Sequence, residues 1–124
     1  MSQVIDSKTE KHSYAALFAK ENIETTLTLI YTESSGSFRV NYDSKFSGIK
    51  EGHIQGGPID ISGNTSIVVN NNPKVSVIIS QFHYDIPNNY ISLHITITVD
   101  IPIIGNQIIY NQTLSGTSNT TLTN

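Results

Sequence analysis

The sequence has no cysteine and no tryptophan, and only 14% of its residues carry charge. Without cysteine there are no disulfides, no thiolate zinc ligands and no thiol nucleophile. Such a chain folds equally in reducing and oxidising surroundings, so composition leaves the compartment open. The charged share lies far below the roughly one quarter of ordinary domains. Seven basic residues are scattered along the chain, Arg39 is the single arginine, and the formal net charge is -3. Nucleic-acid binding needs clustered cations to displace counterions, and this pattern excludes it. Apolar runs of the roughly 20 residues that a membrane helix needs are also missing. Met1 to Lys11 is polar, and Tyr14 to Ala19 is too short for the apolar core of a secretory signal. The expectation is a chain without a transmembrane segment, cytoplasmic or exported without a recognisable signal.

Catalytic signatures are missing as well. His12, His53, His83 and His94 fall in no His-x-His or His-Glu-x-x-His spacing. There is no Gly-x-Ser-x-Gly elbow, and Gly52 to Pro58 is neither a Walker loop nor a dinucleotide-binding turn. The ten acidic residues are dispersed. The reading is a non-enzymatic protein with no cofactor. Calcium is the one metal worth considering, because Asp85-Ile86-Pro87-Asn88-Asn89 places a carboxylate and two carboxamides on one loop. Asp85, Asn88 and Asn89 are therefore the candidate ligand loop, for calcium or for sugar hydroxyls; the plain alternative is a proline/asparagine turn.

What is abundant is 19 Ile, 15 Ser, 13 Thr and 12 Asn. Ile and Thr are stiff at χ1 and suit pleated surfaces, whereas Asn tolerates the positive φ of turns. From Glu24 onward the apolar period is two. Leu27, Leu29 and Tyr31 alternate in one run, and Phe38, Val40 and Tyr42 in the next, across Ser34-Ser35-Gly36. Gly56-Gly57-Pro58 marks a bulge or bend in the run from His53 to Ile61, and Asn70 to Pro73 a turn. Ile91, Leu93, Ile95, Ile97, Val99 and Ile101 alternate with polar residues, and Val75, Val77 and Ile79 share one parity before them. Pairing Ile86 with Tyr90 across a three-residue loop sets Ile79 opposite Ile97 and Val77 opposite Val99. A slip of one residue would set apolar side chains against polar ones. In that register His94 faces Phe82, and Ile78, Phe82, Tyr84 and His94 share a second face, which reads as a candidate interface patch. Beyond Pro102 and Gly105-Asn106 a last run carries Ile108, Tyr110 and Leu114 on one parity.

The N-terminal segment reads differently. Ser7-Lys8-Thr9-Glu10 fits a helix capping box, and Tyr14, Leu17 and Phe18 then share a helical face. A short helix over residues 8–20 is the expectation, with an extended arm as the alternative.

These readings add up to one mainly β domain: a helix or arm over 1–22, a β-sandwich or jelly roll of about eight short antiparallel strands over 23–115, and a polar tail over 116–124. The functional expectation is a non-enzymatic β-sandwich that acts by binding and homo-oligomeric assembly, lectin-like towards carbohydrate or a cell surface. Its partners would be glycans and further copies of itself. The alternatives are a self-assembling structural subunit of a filament, coat or inclusion, and a pore-forming β-protein, whose strands would alternate as Tyr90 to Ile101 does.

Overall fold

Period-two patterning governs the whole chain, its first segment included. The structure is a computed structural model that describes residues 2–32, 36–49 and 51–118. Eight strands follow one another: β1 (Ser2–Ala16), β2 (Ala19–Thr32), β3 (Ser37–Gly48), β4 (Gly52–Ile61), β5 (Thr65–Asn71), β6 (Lys74–Asp85), β7 (Tyr90–Ile101) and β8 (Gly105–Thr117). They form two four-stranded antiparallel sheets in the orders β1-β2-β3-β4 and β5-β6-β7-β8. The result is a β-sandwich of two successive meanders, without the crossovers between sheets that define a jelly roll.

The inner rows supply one continuous core. Ile23, Leu27 and Leu29 of β2 and Phe38, Val40 and Tyr42 of β3 meet Val75, Val77 and Ile79 of β6 and the six alternating apolar residues of β7. Burying each such side chain contributes about 1.5–3 kcal/mol, which is why one face of every central strand is apolar. Polar residues enter this layer too: Thr25 and Ser44, directly opposite each other, are both buried and hydrogen-bonded to one another at 2.7 Å, and Glu21 is buried at the start of the same β2 row.

The N-terminal helix is not formed; no helix occurs among the described residues. Residues 2–16 pair instead with β2, from Ser2↔Thr32 to Ala16↔Ala19. Of the supposed helical face only Tyr14 meets the core, while Leu17 and Phe18 are 95% and 98% exposed in the hairpin turn. Pairing with β2 satisfies the backbone donors that a short solvated helix would satisfy only marginally.

Two bulges account for the other departures. Between Ser80 and His83 the β6–β7 register shifts, and Gln81 sits at φ 53°. The connecting loop is four residues long, with Asp85↔Tyr90, and Ile79 pairs with Ile95 and Val77 with Ile97. Between the loop and the bulge this register is displaced by one residue from the expected one, and from Ser80 back to Val75 by two. A displacement by two keeps every side chain on its face, so apolar alternation selects the face but not the partner. In β8 the ladder shifts opposite Ile97/Thr98, and Ile109 and Tyr110 both turn inward while Ile108 stays half exposed. The bulge expected at Gly56–Pro58 is present, where the β3–β4 register jumps between Val40↔Ile59 and Tyr42↔Gly56. At the C-terminus β8 runs to Thr117, and Ser118 is buried with its N–H donating to Asn89 O at 2.9 Å. The remainder of the expected tail, 119–124, lies outside the described residues.

β1 and β8 are the outer strands of their sheets, and they lie side by side along a seam. The β1 row that pairs beside the core positions of β2 is charged rather than apolar. Ser115 N–H donates to Asp6 Oδ2 at 3.0 Å, Lys8 Nζ donates to Thr113 O at 2.7 Å, and Asn111 N–H donates to Glu10 Oε2 at 2.7 Å. Three alternating side chains of β1 thus satisfy three alternating backbone groups of β8, in antiparallel register. Tyr110 Oη returns a bond to Lys8 O, and Tyr14 Oη donates to Ile108 O. A naked sheet edge is a template for unwanted strand pairing, and here side chains cap it. Gly116 permits the approach: a Cβ there would stand 2.7 Å from Ile5 Cγ2 and 3.1 Å from Ile5 O.

Candidate binding surface

The expected ligand loop closes on itself. Asn88 Nδ2 donates to Asp85 Oδ2 at 2.7 Å, Asn89 N–H donates to Ile86 O at 3.2 Å, and Asn89 O accepts from Ser118. Asn89 adopts φ 52°, a conformation that asparagine tolerates well. Asp85, Asn88 and Asn89 therefore build a turn that ties β8 to the β6–β7 hairpin. Among the described residues no three His, Cys, Asp or Glu side chains are grouped as metal ligands.

The expected patch of Ile78, Phe82, Tyr84 and His94 is divided by the Gln81 bulge. Phe82 and Tyr84 turn to the core side, where Tyr84 meets Phe38 edge-on at 4.9 Å between ring centroids. Ile78 and His94 remain on the outer face. His94 Nδ1 lies 3.1 Å from Thr113 Oγ1, and its Nε2 contacts Asn111 Oδ1, so the ring is held between two β8 side chains. One inserted residue reverses the facing of everything beyond it, and periodicity has no mark for that insertion.

A site emerges elsewhere, on the outer face of the first sheet. Its four strands present a grid of polar side chains: Ser7, Thr9, Lys11 and Ser13 on β1; Thr28, Thr26, Glu24 and Asn22 opposite them on β2; Asn41, Asp43, Lys45 and Ser47 on β3; and Gln55 and His53 on β4. The β1–β2 positions are joined in pairs, with Ser7–Thr28 at 3.1 Å, Thr9–Thr26 at 2.7 Å, Ser13–Asn22 at 2.7 Å and Lys11–Glu24 at 3.7 Å. The right-handed twist of a sheet makes such a face concave along one diagonal. The concavity holds a trough of about 450 Å³ lined by Thr26, Thr28, Asn41, Asp43, Lys45 and Gln55, with Glu24 at its margin. A second hollow of about 350 Å³ continues past Glu24 and Lys45 to His12, Ser13 and Asn22.

Asp43 is the centre of the trough's electrostatics. His53 Nε2 lies 2.7 Å from Asp43 Oδ1, and Gln55 Nε2 donates to Asp43 Oδ2 at 3.4 Å. Beneath it Tyr42 is buried, and burial pushes its hydroxyl up to about 12. The trough thus offers two carboxylates, two carboxamides, two hydroxyls and one ammonium group.

Sequence reasoning saw these residues only as the polar halves of alternating strands. Their signal was the spacing Asn41-x-Asp43-x-Lys45 facing Thr26-x-Thr28, legible once the β2–β3 register is known. Comparisons with protein families, with curated proteins and with solved structures returned no match.

Proposed function

We propose that this protein is a non-enzymatic binding module, lectin-like in its chemistry, that takes a hydroxyl-rich ligand of the carbohydrate class on the outer face of its first sheet. The observation that carries this reading is the trough around Asp43, with Asn41, Gln55, Glu24 and two threonine hydroxyls turned into one concave surface. Carboxylates accept from sugar hydroxyls, and carboxamides both donate and accept, so this donor and acceptor set matches vicinal hydroxyl groups. A wet, shallow site suits binding better than chemistry. Asp43 and His53 stay 39% and 44% exposed, whereas acid–base catalysis relies on desolvated groups.

Homo-oligomeric assembly fits the same reading, because shallow sugar sites gain affinity through multivalency. It is supported by the free outer edge of β5, where Val68 is 49% exposed, and by Ile78, 39% exposed on neighbouring β6. A glycan array followed by calorimetry on the hits tests both parts, with light scattering at the same concentrations. The expectation is binding that Asp43→Asn with Gln55→Ala weakens by roughly tenfold or more, equivalent to losing two hydrogen bonds to a ligand. An array without hits removes the carbohydrate reading, and a monomer at array concentration removes assembly.

A further inference from the structure

We propose that one end of the sandwich is a membrane-surface anchor, in which Leu17, Phe18 and Ile103 enter the boundary between headgroups and acyl chains of a lipid bilayer. The three residues are far apart in sequence, and the seam brings them to one end. Tyr14 of β1 is hydrogen-bonded to Ile108 of β8, and the two strands run antiparallel. Three residues beyond Tyr14 the chain turns at Leu17-Phe18; three residues before Ile108 it leaves the turn that holds Ile103. The β1–β2 and β7–β8 turns are therefore neighbours.

Leu17, Phe18 and Ile103 are 95%, 98% and 81% exposed, against complete burial of Leu27, Leu29 and Ile97. Two of them occupy turn positions ill suited to their side chains. Leu17 has φ 36° and Ile103 φ 75°, where glycine or asparagine is ordinarily found and a β-branched residue is an outlier. Neither solubility nor turn stability favours these choices, and conflict with local rules is characteristic of functional positions.

Shape and area favour lipid over a second copy. Three side chains of this size offer roughly 500 Å², below the roughly 800 Å² per partner of a stable protein interface. They stand at convex tips, which a fluid acyl layer envelops without a complementary groove, as it does the apolar side of interfacial segments. Lys20 lies exposed just behind the β1–β2 tip and Lys74 at the start of β6, beside the β5–β6 turn at the same end, both suited to anionic headgroups.

The test uses the full chain and vesicles of phosphatidylcholine, with and without 30% phosphatidylserine. Because the chain contains no tryptophan, Phe18→Trp adds a single indole that can be excited apart from the six tyrosines. Its emission is expected to shift to the blue on vesicle addition and to be quenched by brominated acyl chains; emission unchanged by either vesicle overturns the proposal. Leu17→Gly/Phe18→Ser/Ile103→Gly removes the apolar tips while giving glycine to both positive-φ sites, so the fold is kept. Vesicle cosedimentation of this variant is expected to fall by more than about tenfold, with its circular dichroism and melting temperature no lower than those of the parent. Retained cosedimentation overturns the proposal, as does a lipid-free dimer of the parent that this variant abolishes, which would assign the tips to a second copy.

Discussion

β7 and β1 are long strands of the same fold, 12 and 15 residues, yet they are built on opposite principles. β7 lies between β6 and β8 and turns six apolar side chains into the core, with Ile91, Leu93, Ile95, Ile97 and Val99 all fully buried. β1 is an edge strand whose corresponding row reads Asp6, Lys8, Glu10, His12 and Tyr14. The difference follows from what each row faces. β7 faces the opposing sheet, where only apolar surface is inexpensive to bury. β1 faces the unpaired backbone of β8, where a charged hydrogen-bonding side chain does what a ninth strand would do.

The contrast breaks most visibly at β7. Ile97→Ala removes a fully buried side chain at the middle of the core and is expected to cost about 2–5 kcal/mol. The urea midpoint measures it, and an unchanged slope would show that the unfolded state is unaffected. A loss below about 1 kcal/mol would mean that the two sheets repack freely, and β7 would lose its place as the rigid half of the comparison.

The seam is sharpened by Glu10→Gln, a smaller change. Burial alone would raise the Glu10 carboxyl, but the Asn111 N–H, the nearby His12 and Gln112 together outweigh it and hold it below its ordinary value of 4.5. A depressed carboxyl stabilises the fold fully above that ordinary value, and the contribution is lost as pH falls through the lower folded value. Glu10→Gln is therefore expected to cost about 1 kcal/mol at pH 7, the scale of one charge-assisted bond replaced by a neutral one. The gap between variant and parent should close as both are taken to pH 3. A gap of equal size at pH 3 would show that the β1–β8 seam does not depend on the carboxylate charge.

Legibility in the sequence divides along the same line. Wherever a strand buries an apolar row its existence and face could be read, as for Leu27 to Tyr31, Phe38 to Tyr42 and Ile91 to Ile101. Pairing could be read only to within an even number of residues, because Ile79 meets Ile95 as favourably as Ile97. Bulges were illegible at Gln81 and Ile109, since an inserted residue changes facing without changing composition; the one at Gly56–Pro58 could be read because proline cannot donate to a ladder. For β1 the helix reading fails and the extended alternative stands, because its partner is backbone rather than side chain, while alternating charges beside serine imitate a capping box. The trough around Asp43 was hidden for a related reason. Asn41, Asp43, Thr26 and Thr28 become a site only through the β2–β3 register and the twist, neither of which leaves a mark on any one strand.

The smallest effect is expected on the other face of β1, and it completes the comparison. Thr9 Oγ1 and Thr26 Oγ1 are 2.7 Å apart but exposed, so water replaces either hydroxyl when its partner is removed. Thr9→Ala is expected to change stability by no more than about 0.5 kcal/mol, part of it from the weaker strand preference of alanine. The urea midpoint of this variant should coincide closely with that of the parent, although Thr9 and Glu10 are adjacent in the chain. A cost above about 1 kcal/mol would show that the outer grid itself holds the sheet together. The polar face would then be structural along with the seam, and its exposed hydroxyls and amides would not be free to exchange their present partners for a ligand.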